Sequence, residues 1–340
     1  AEELPHAFWD MILHRCPTLE ELAICSFSSS ARVFNFDRVV EGSWPALHSL
    51  TLGSFGYNED FSLGPLTLLN DGAITRFLGN QRSLKYLRFI WNFRSFMSPD
   101  EVSFTLPSKS LPSLTTFIGI YQQLAKLDNP ETIETLDLTC EPIYQTRMPA
   151  VCPILRSLPN LTSLEIWVHL FDPNTDNAQI FHGIMEACPK LTDLHFMCTN
   201  SFTSRQLKQL ISGLHHLPKL KRFSLTKGHT YLDESMLATA VRIVKVAPKL
   251  KQVNVRWARE RCPNHLKQEG NYDVLHSEAS GVPTALAVVE RGINFVGAAF
   301  SRQYRHTLRL GAPVEWQKTV SKTKNVVRKR VNSMLSIRGQ

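Results

Sequence analysis

Nine times along this chain an apolar residue is followed by a second three places on and a third two further, with mostly polar residues between them. The triplets are Leu19/Leu22/Ile24, Leu47/Leu50/Leu52, Leu84/Leu87/Phe89, Leu114/Phe117/Gly119, Ile133/Leu136/Leu138, Leu161/Leu164/Ile166, Leu191/Leu194/Phe196, Leu220/Phe223/Leu225 and Leu250/Val253/Val255. Their first members are separated by 28, 37, 30, 19, 28, 30, 29 and 30 residues. A recurring period of this size marks a solenoid, because no unit can bury its own apolar face and neighbours must stack. The pattern predicts a leucine-rich-repeat array of α/β class, with a curved parallel sheet on the concave side and helices on the convex side.

The segments between triplets complete the unit. Pro17, Pro45, Pro112, Pro159, Pro189, Pro218 and Pro248 each stand two residues before the first apolar position. Proline cannot continue a helix and pushes its predecessor out of helical geometry, so it separates an outer helix from the next inner strand. Helical spacing is clear in the later units. Asp176 is expected to cap a helix with Ile180, Ile184 and Met185 on one face. Thr203-Ser204-Arg205-Gln206 has the form of a capping box before Leu207, Leu210, Ile211 and Leu214, and Asp233 is expected to cap Met236, Leu237, Val241 and Val244.

The N-terminal half is irregular. The 37-residue step contains Gly53–Asp60, read as a protruding loop ahead of a short helix after Asp71. The 19-residue step leaves room only for a brief outer segment around Tyr121–Leu127. Gly119 there replaces the expected aliphatic, which suggests a strand shifted to Ile118/Ile120. Residues 92–110 lack a helical pattern. Leu4, Ala7, Phe8, Met11 and Ile12 have helical spacing and resemble the back half of a repeat, so the chain is expected to lack an upstream module. The expected division is a solenoid over 1–257, a capping region over 258–316 and a basic tail over 317–340.

Charge changes this picture only at one end. The formal net charge is +8, but seven basic residues and no acidic one lie between Gln317 and Gln340, leaving 31 basic against 30 acidic elsewhere. The body therefore gives no reason to expect nucleic acid. Val320, Val327, Val331, Met334 and Leu335 would share one side of a helix in the tail, compatible with nuclear import, an anionic membrane or a nucleic-acid clamp; a disordered, solubilising end is the plainer reading. Seven cysteines occur without CxxC pairs. Cys16 recurs at the position of Cys188, and Cys140 at that of Cys198, as packing residues do; reduced thiols imply a cytoplasmic or nuclear location. No apolar run is long enough to span a membrane, no metal ligand set or cofactor fingerprint is present, and Asn160-Leu161-Thr162 places a glycosylation sequon on a core residue.

The C-P-x-L-x-x-L-x-L lead-in resembles the cysteine-containing leucine-rich repeats of F-box proteins. The divergent repeats, with Arg256–Arg261 and His265–Gly270 after the last unit, resemble fungal F-box/leucine-rich-repeat proteins over roughly residues 5–310. The resemblance implies a ubiquitin-ligase substrate receptor, in which an F-box module docks a Skp-type adaptor and cullin and the repeats hold the substrate. No F-box is identified in these 340 residues, so adaptor and cullin are expected only with an upstream module. The ninth repeat positions (Phe27, Phe55, Asn92, Gln122, Glu141, His169, Thr199, Gly228 and Ala258) depart from the family's Asn or Cys. An alternative resemblance is to leucine-rich-repeat activators of the small GTPase Ran, whose asparagine ladder and acidic tail this chain lacks; an orphan binding scaffold is a third reading.

Alternation along a strand puts the first, fourth and sixth repeat positions in the core and the third, fifth and seventh on the concave face. The candidate partner-binding residues are therefore Tyr86, Arg88, Ile90, Asp137, Glu165, Trp167, Asp193, His195, Met197, Arg222, Asn254 and Arg256. Trp167 and Met197 on neighbouring strands, beside Glu165 and His195, form a candidate hot spot for a protein or peptide. The alternative is that they pack against a loop or the cap. Asp137, Glu165 and His195 lie on consecutive strands, but nothing supplies a further metal ligand at a rigid spacing. Asp172–Asp176 opens like a calcium loop but lacks the glycine and glutamate of one. The function expected is non-enzymatic recognition.

Overall fold

The turn before each strand is built as the prolines predict. The backbone N–H groups of Leu47, Leu114, Leu161, Leu191, Leu220 and Leu250 donate to the carbonyls of Trp44, Leu111, Leu158, Cys188, Leu217 and Ala247, three residues back, with proline second in each turn. Proline's fixed φ suits that position and ends the preceding helix. The computed structural model describes residues 5–26, 38–39, 41–54, 72–90, 110–127, 130–171, 176–200, 202–228, 234–259, 262–290 and 304–309.

From these turns the chain enters β1 (Glu21–Ser26), β2 (Ser49–Ser54), β3 (Tyr86–Ile90), β4 (Thr116–Ile118), β5 (Thr135–Tyr144), β6 (Ser163–His169), β7 (Asp193–Cys198), β8 (Arg222–Gly228) and β9 (Gln252–Arg259). They lie side by side in sequence order, each parallel to the next. Leu22, Leu50, Leu87, Phe117, Leu136, Leu164, Leu194, Phe223 and Val253 pair in one continuous row. Each is buried, and each such side chain contributes roughly 1.5–3 kcal/mol through loss of contact with water. Outer helices over Met148–Arg156, Ala178–Ala187, Ser204–Gly213 and Met236–Val246 cover the other side of this core. The molecule is a leucine-rich-repeat solenoid.

The C-terminal region continues the sheet. β10 (Cys262–His276) runs antiparallel to β9, β11 (Pro283–Glu290) antiparallel to β10, and β12 (Tyr304–Arg309) antiparallel to β11, giving twelve strands in all among the described residues. Tyr272 and Val274 face the core while Glu269, Asn271 and Asp273 fall on the concave side. The tail over 317–340 lies outside the described residues.

Several local expectations are refined. The Thr203 capping box forms: its hydroxyl accepts from the Gln206 N–H at 3.2 Å and its own N–H donates to Gln206 Oε1 at 2.8 Å. The helix expected after Asp176 starts one residue later, with Asn177 as its cap residue and the Asp176 carboxylate accepting from Ala178 N–H at 2.9 Å. Ser235 caps the helix over Met236–Val246, accepting from Ala238 N–H at 3.2 Å; Asp233 lies outside the described residues. Gly53 and Ser54 belong to β2, while residues 55–71, 91–109 and 172–175, on which loop readings fell, are outside the described residues.

The strand shift expected at Gly119 does not occur. Phe117 keeps the core row between Leu87 and Leu136, and Ile118 falls in the concave row between Arg88 and Asp137. The space beside Gly119 is already filled: a Cβ there would lie 2.5 Å from Gln123 Oε1 and 2.9 Å from the Phe117 ring. Glycine is needed for that close approach, and a ring reaching across replaces the missing aliphatic.

Candidate functional site

Strand pairing lays the concave side chains out in rows. One row reads Thr135, Ser163, Asp193, Arg222, Gln252 and Asp273; the next reads Asp137, Glu165, His195, Ser224, Asn254 and Asn271; the third reads Trp167, Met197, Thr226, Arg256 and Glu269. From β6 to β10 the first two rows, with Arg256, line an open hollow of about 560 Å³.

The hollow is a network of opposite charges and amides. His195 Nδ1 lies 2.9 Å from Glu165 Oε2, and its Nε2 lies 2.9 Å from Thr226 Oγ1. Arg222 Nε donates to Asp193 Oδ1. Arg256 Nε donates to Glu269 Oε1 at 3.1 Å, as does Asn254 Nδ2 at 3.0 Å, and Gln252 Nε2 donates to Asp273 Oδ1 at 3.1 Å. The bond from His195 holds the Glu165 carboxyl below its ordinary range, helped by the charges of His195 and Arg256 and opposed by burial. Thr226, His195 and Glu165 stand in the order of a nucleophile, base and orienting acid. Thr226, however, is 1% exposed, and the trio ties side chains of β6, β7 and β8 to one another.

Of the candidates, Glu165, Asp193, His195, Arg222, Asn254 and Arg256 meet in this hollow. Asp137 sits next to Glu165 in register, but its carboxylate turns back to accept from Thr139 N–H at 2.8 Å and Thr139 Oγ1 at 2.6 Å. Burial raises its pKa, with the Thr139 bonds opposing. Tyr86 and Arg88 are on β3, two strands before Asp137, away from the hollow, and the Ile90 side chain is outside the described residues.

Trp167 and Met197 need correction as a solvent-facing hot spot. They are side by side, but only 5% and 7% exposed. The cause is irregularity in β5, where the four residues from Thr139 to Pro142 intervene between the positions paired with Ile166 and Val168. That irregularity lies on the β5 side of Trp167, and Met197 lies on its β7 side. The same excursion brings Cys140 Sγ to within 3.8 Å of the Phe89 carbonyl oxygen, two strands away, past the end of three-residue β4.

Sequence reasoning missed Thr226, Gln252, Glu269, Asn271 and Asp273. The last three had a legible signal: polar Glu269, Asn271 and Asp273 alternate with Gly270, Tyr272 and Val274, the period of a strand with one buried face. It also missed Asn200, which bridges neighbouring loops by accepting from Leu170 N–H at 3.3 Å and donating to the Leu170 carbonyl. That asparagine stands one residue beyond Thr199, the ninth position of its repeat.

No protein-family model matches the sequence, and no curated protein matches it. Among solved structures, the chain is similar to TLR13 in its complex with ssRNA13, at 17% identity and a TM-score of 0.37, with 71% of this chain and 32% of that chain covered. It is likewise similar to the leucine-rich repeat-containing protein LegL7 from Legionella pneumophila, at 15% identity and a TM-score of 0.36, covering 73% of this chain and 87% of that one. This chain thus spans about a third of the TLR13 chain. Among the described residues, no helix is long and apolar enough to cross a membrane.

Proposed function

We propose that the concave face across β6–β10 docks a protein or peptide segment, and that the chain is the substrate-binding part of an F-box-type ubiquitin-ligase receptor. The observation that carries the recognition reading is the hollow of about 560 Å³, lined by charges of both signs held in place by one another. Five adjacent strands span roughly 19 Å at about 4.8 Å per step, a width suited to an extended segment. Among the lining residues Glu165, Asp193 and Asp273 outnumber Arg222 and Arg256 by one, which favours a partner with an excess of basic residues. Pre-ordered side chains lower the entropic cost of docking. The ligase part rests on the resemblance of the C-P-x-L-x-x-L-x-L units.

A photo-crosslinker at Ser224 in the full-length protein should capture a discrete partner. Asp193→Arg with Asp273→Arg should weaken that capture at least tenfold, about 1.4 kcal/mol, with the thermal midpoint little changed. Capture insensitive to both reversals would remove the concave-face reading. Co-purification of the full-length protein with a Skp-type adaptor tests the ligase part separately; a partner-binding protein that takes no adaptor is a recognition scaffold without that role.

A further inference from the structure

The shortest repeat leaves a second recess, away from the polar rows. It lies where β4 leads into the helix Tyr121–Leu124, beneath the second half of β5, and has a volume of about 120 Å³. Ile120, Leu138, Pro142 and Ile143 supply apolar wall; Tyr121, Gln122 and Glu141 supply polar groups.

Those polar groups are poorly provided for by the protein itself. The Tyr121 hydroxyl and Gln122 Oε1 are buried without a hydrogen-bond partner among the described residues. Glu141 makes no hydrogen bond or ion pair with any described residue. Glu141 is half-buried; partial withdrawal of a carboxyl from water without a partner is costly, and that burial pushes this one from 4.5 up to about 7. The irregularity that places it there is the same four-residue excursion of β5 that closes over Trp167.

We propose that this recess binds a primary ammonium on a short aliphatic stem, the chemistry of a lysine side chain, with Glu141 as its counter-ion. The ammonium is a compact cation with three donors, matching a carboxylate with an amide oxygen nearby. The apolar walls take the methylenes, and a recess of about 120 Å³ has room for a short aliphatic stem. Arg147 lines the recess but is exposed, so its repulsion is screened by solvent. The phenols of Tyr121 and Tyr144 also line the recess; burial and the Glu141 carboxylate raise the Tyr121 pKa, with Arg147 opposing. The inference is independent of the concave-face docking reading, since no residue is shared between the two cavities.

The probe is n-butylammonium, followed by amide chemical shifts in the whole chain, with n-butanol as the uncharged equivalent. Saturable shifts centred on Tyr121, Gln122 and Ile143 are expected, with a Kd on the order of millimolar. Because only ionised Glu141 attracts the cation, affinity should rise at least tenfold from about pH 5.5 to about pH 8.5. Butanol should bind at least tenfold more weakly. Glu141→Gln keeps the shape and should lose at least tenfold in affinity and the pH dependence with it; Glu141→Asp, which keeps the charge, should retain part of both. Equal binding by Glu141→Gln, shifts centred elsewhere, or no saturation by about 100 mM would each overturn the proposal.

Discussion

The junction of β4 and β5 and the stack from β6 to β9 are made from the same repeat, yet they satisfy their polar groups differently. In β6–β9 the steps are 29 or 30 residues, each helix has room to close over its strand, and concave side chains pair across strands. At the junction a 19-residue step leaves only four residues of outer helix. Phe117 then reaches into the space of Gly119, β5 makes its excursion, and Tyr121, Gln122 and Gln123 are buried with Glu141 half-buried near them. Gln123 recovers one bond, accepting from Ile120 N–H at 3.1 Å, but its Nε2 is left without a partner among the described residues. Buried polar atoms without a hydrogen-bond partner among the described residues occur in both regions: singly in the regular stack, at His182 Nε2, Thr199 Oγ1 and Asn254 Oδ1, and clustered on three consecutive residues, Tyr121, Gln122 and Gln123, at the shortened one.

The comparison breaks most visibly through the core of the regular stack. Phe196 packs edge-on against Phe181 at 5.6 Å, so Phe196→Ala should cost about 3–5 kcal/mol, read as a lower urea midpoint. A loss under about 1 kcal/mol would show that the regular half is not the stable one. Trp167→Ala comes next, at about 3 kcal/mol, because its indole is enclosed beside the β5 excursion. A negligible loss there, with weaker partner capture, would restore the open hot spot that the sequence suggested.

Glu141 sharpens the contrast through pH. Its folded pKa of about 7 lies above its ordinary 4.5, so the folded state holds an extra proton between those values. Stability should therefore fall as pH rises through that window, by roughly 2–3 kcal/mol in all, and Glu141→Gln should flatten the dependence in denaturant titrations. Glu165 has the opposite sign, since His195 lowers its pKa and its contribution is lost on acidification. The smallest effect is expected of Tyr121→Phe. Removing a buried hydroxyl that has no partner among the described residues should be neutral or stabilising by about 1 kcal/mol; a loss greater than that would reveal a bond the hydroxyl makes.

Some features were legible because they are local. The proline turns, the Thr203 capping box and the core triplets depend on neighbours within about one repeat, and they stand where the spacing puts them. Concave positions were legible by alternation as far as β9, which is how Glu165, His195 and Arg256 were each assigned to that face. The role of Thr226 was not, because its partner ring belongs to the previous strand and only register brings them to 2.9 Å.

By itself, then, the order of residues determined the repeat, its period, its parallel strands and which side chains the core would take, since burial of an amphipathic face is a nearest-neighbour matter in a stacked array. Tertiary structure alone decided that Trp167 and Met197 are enclosed, that β10 completes the polar hollow, and that Glu141 is half-buried without a partner among the described residues. These depend on how a short repeat is accommodated by the strands on either side, and that accommodation is a property of packing volume, which no single segment encodes.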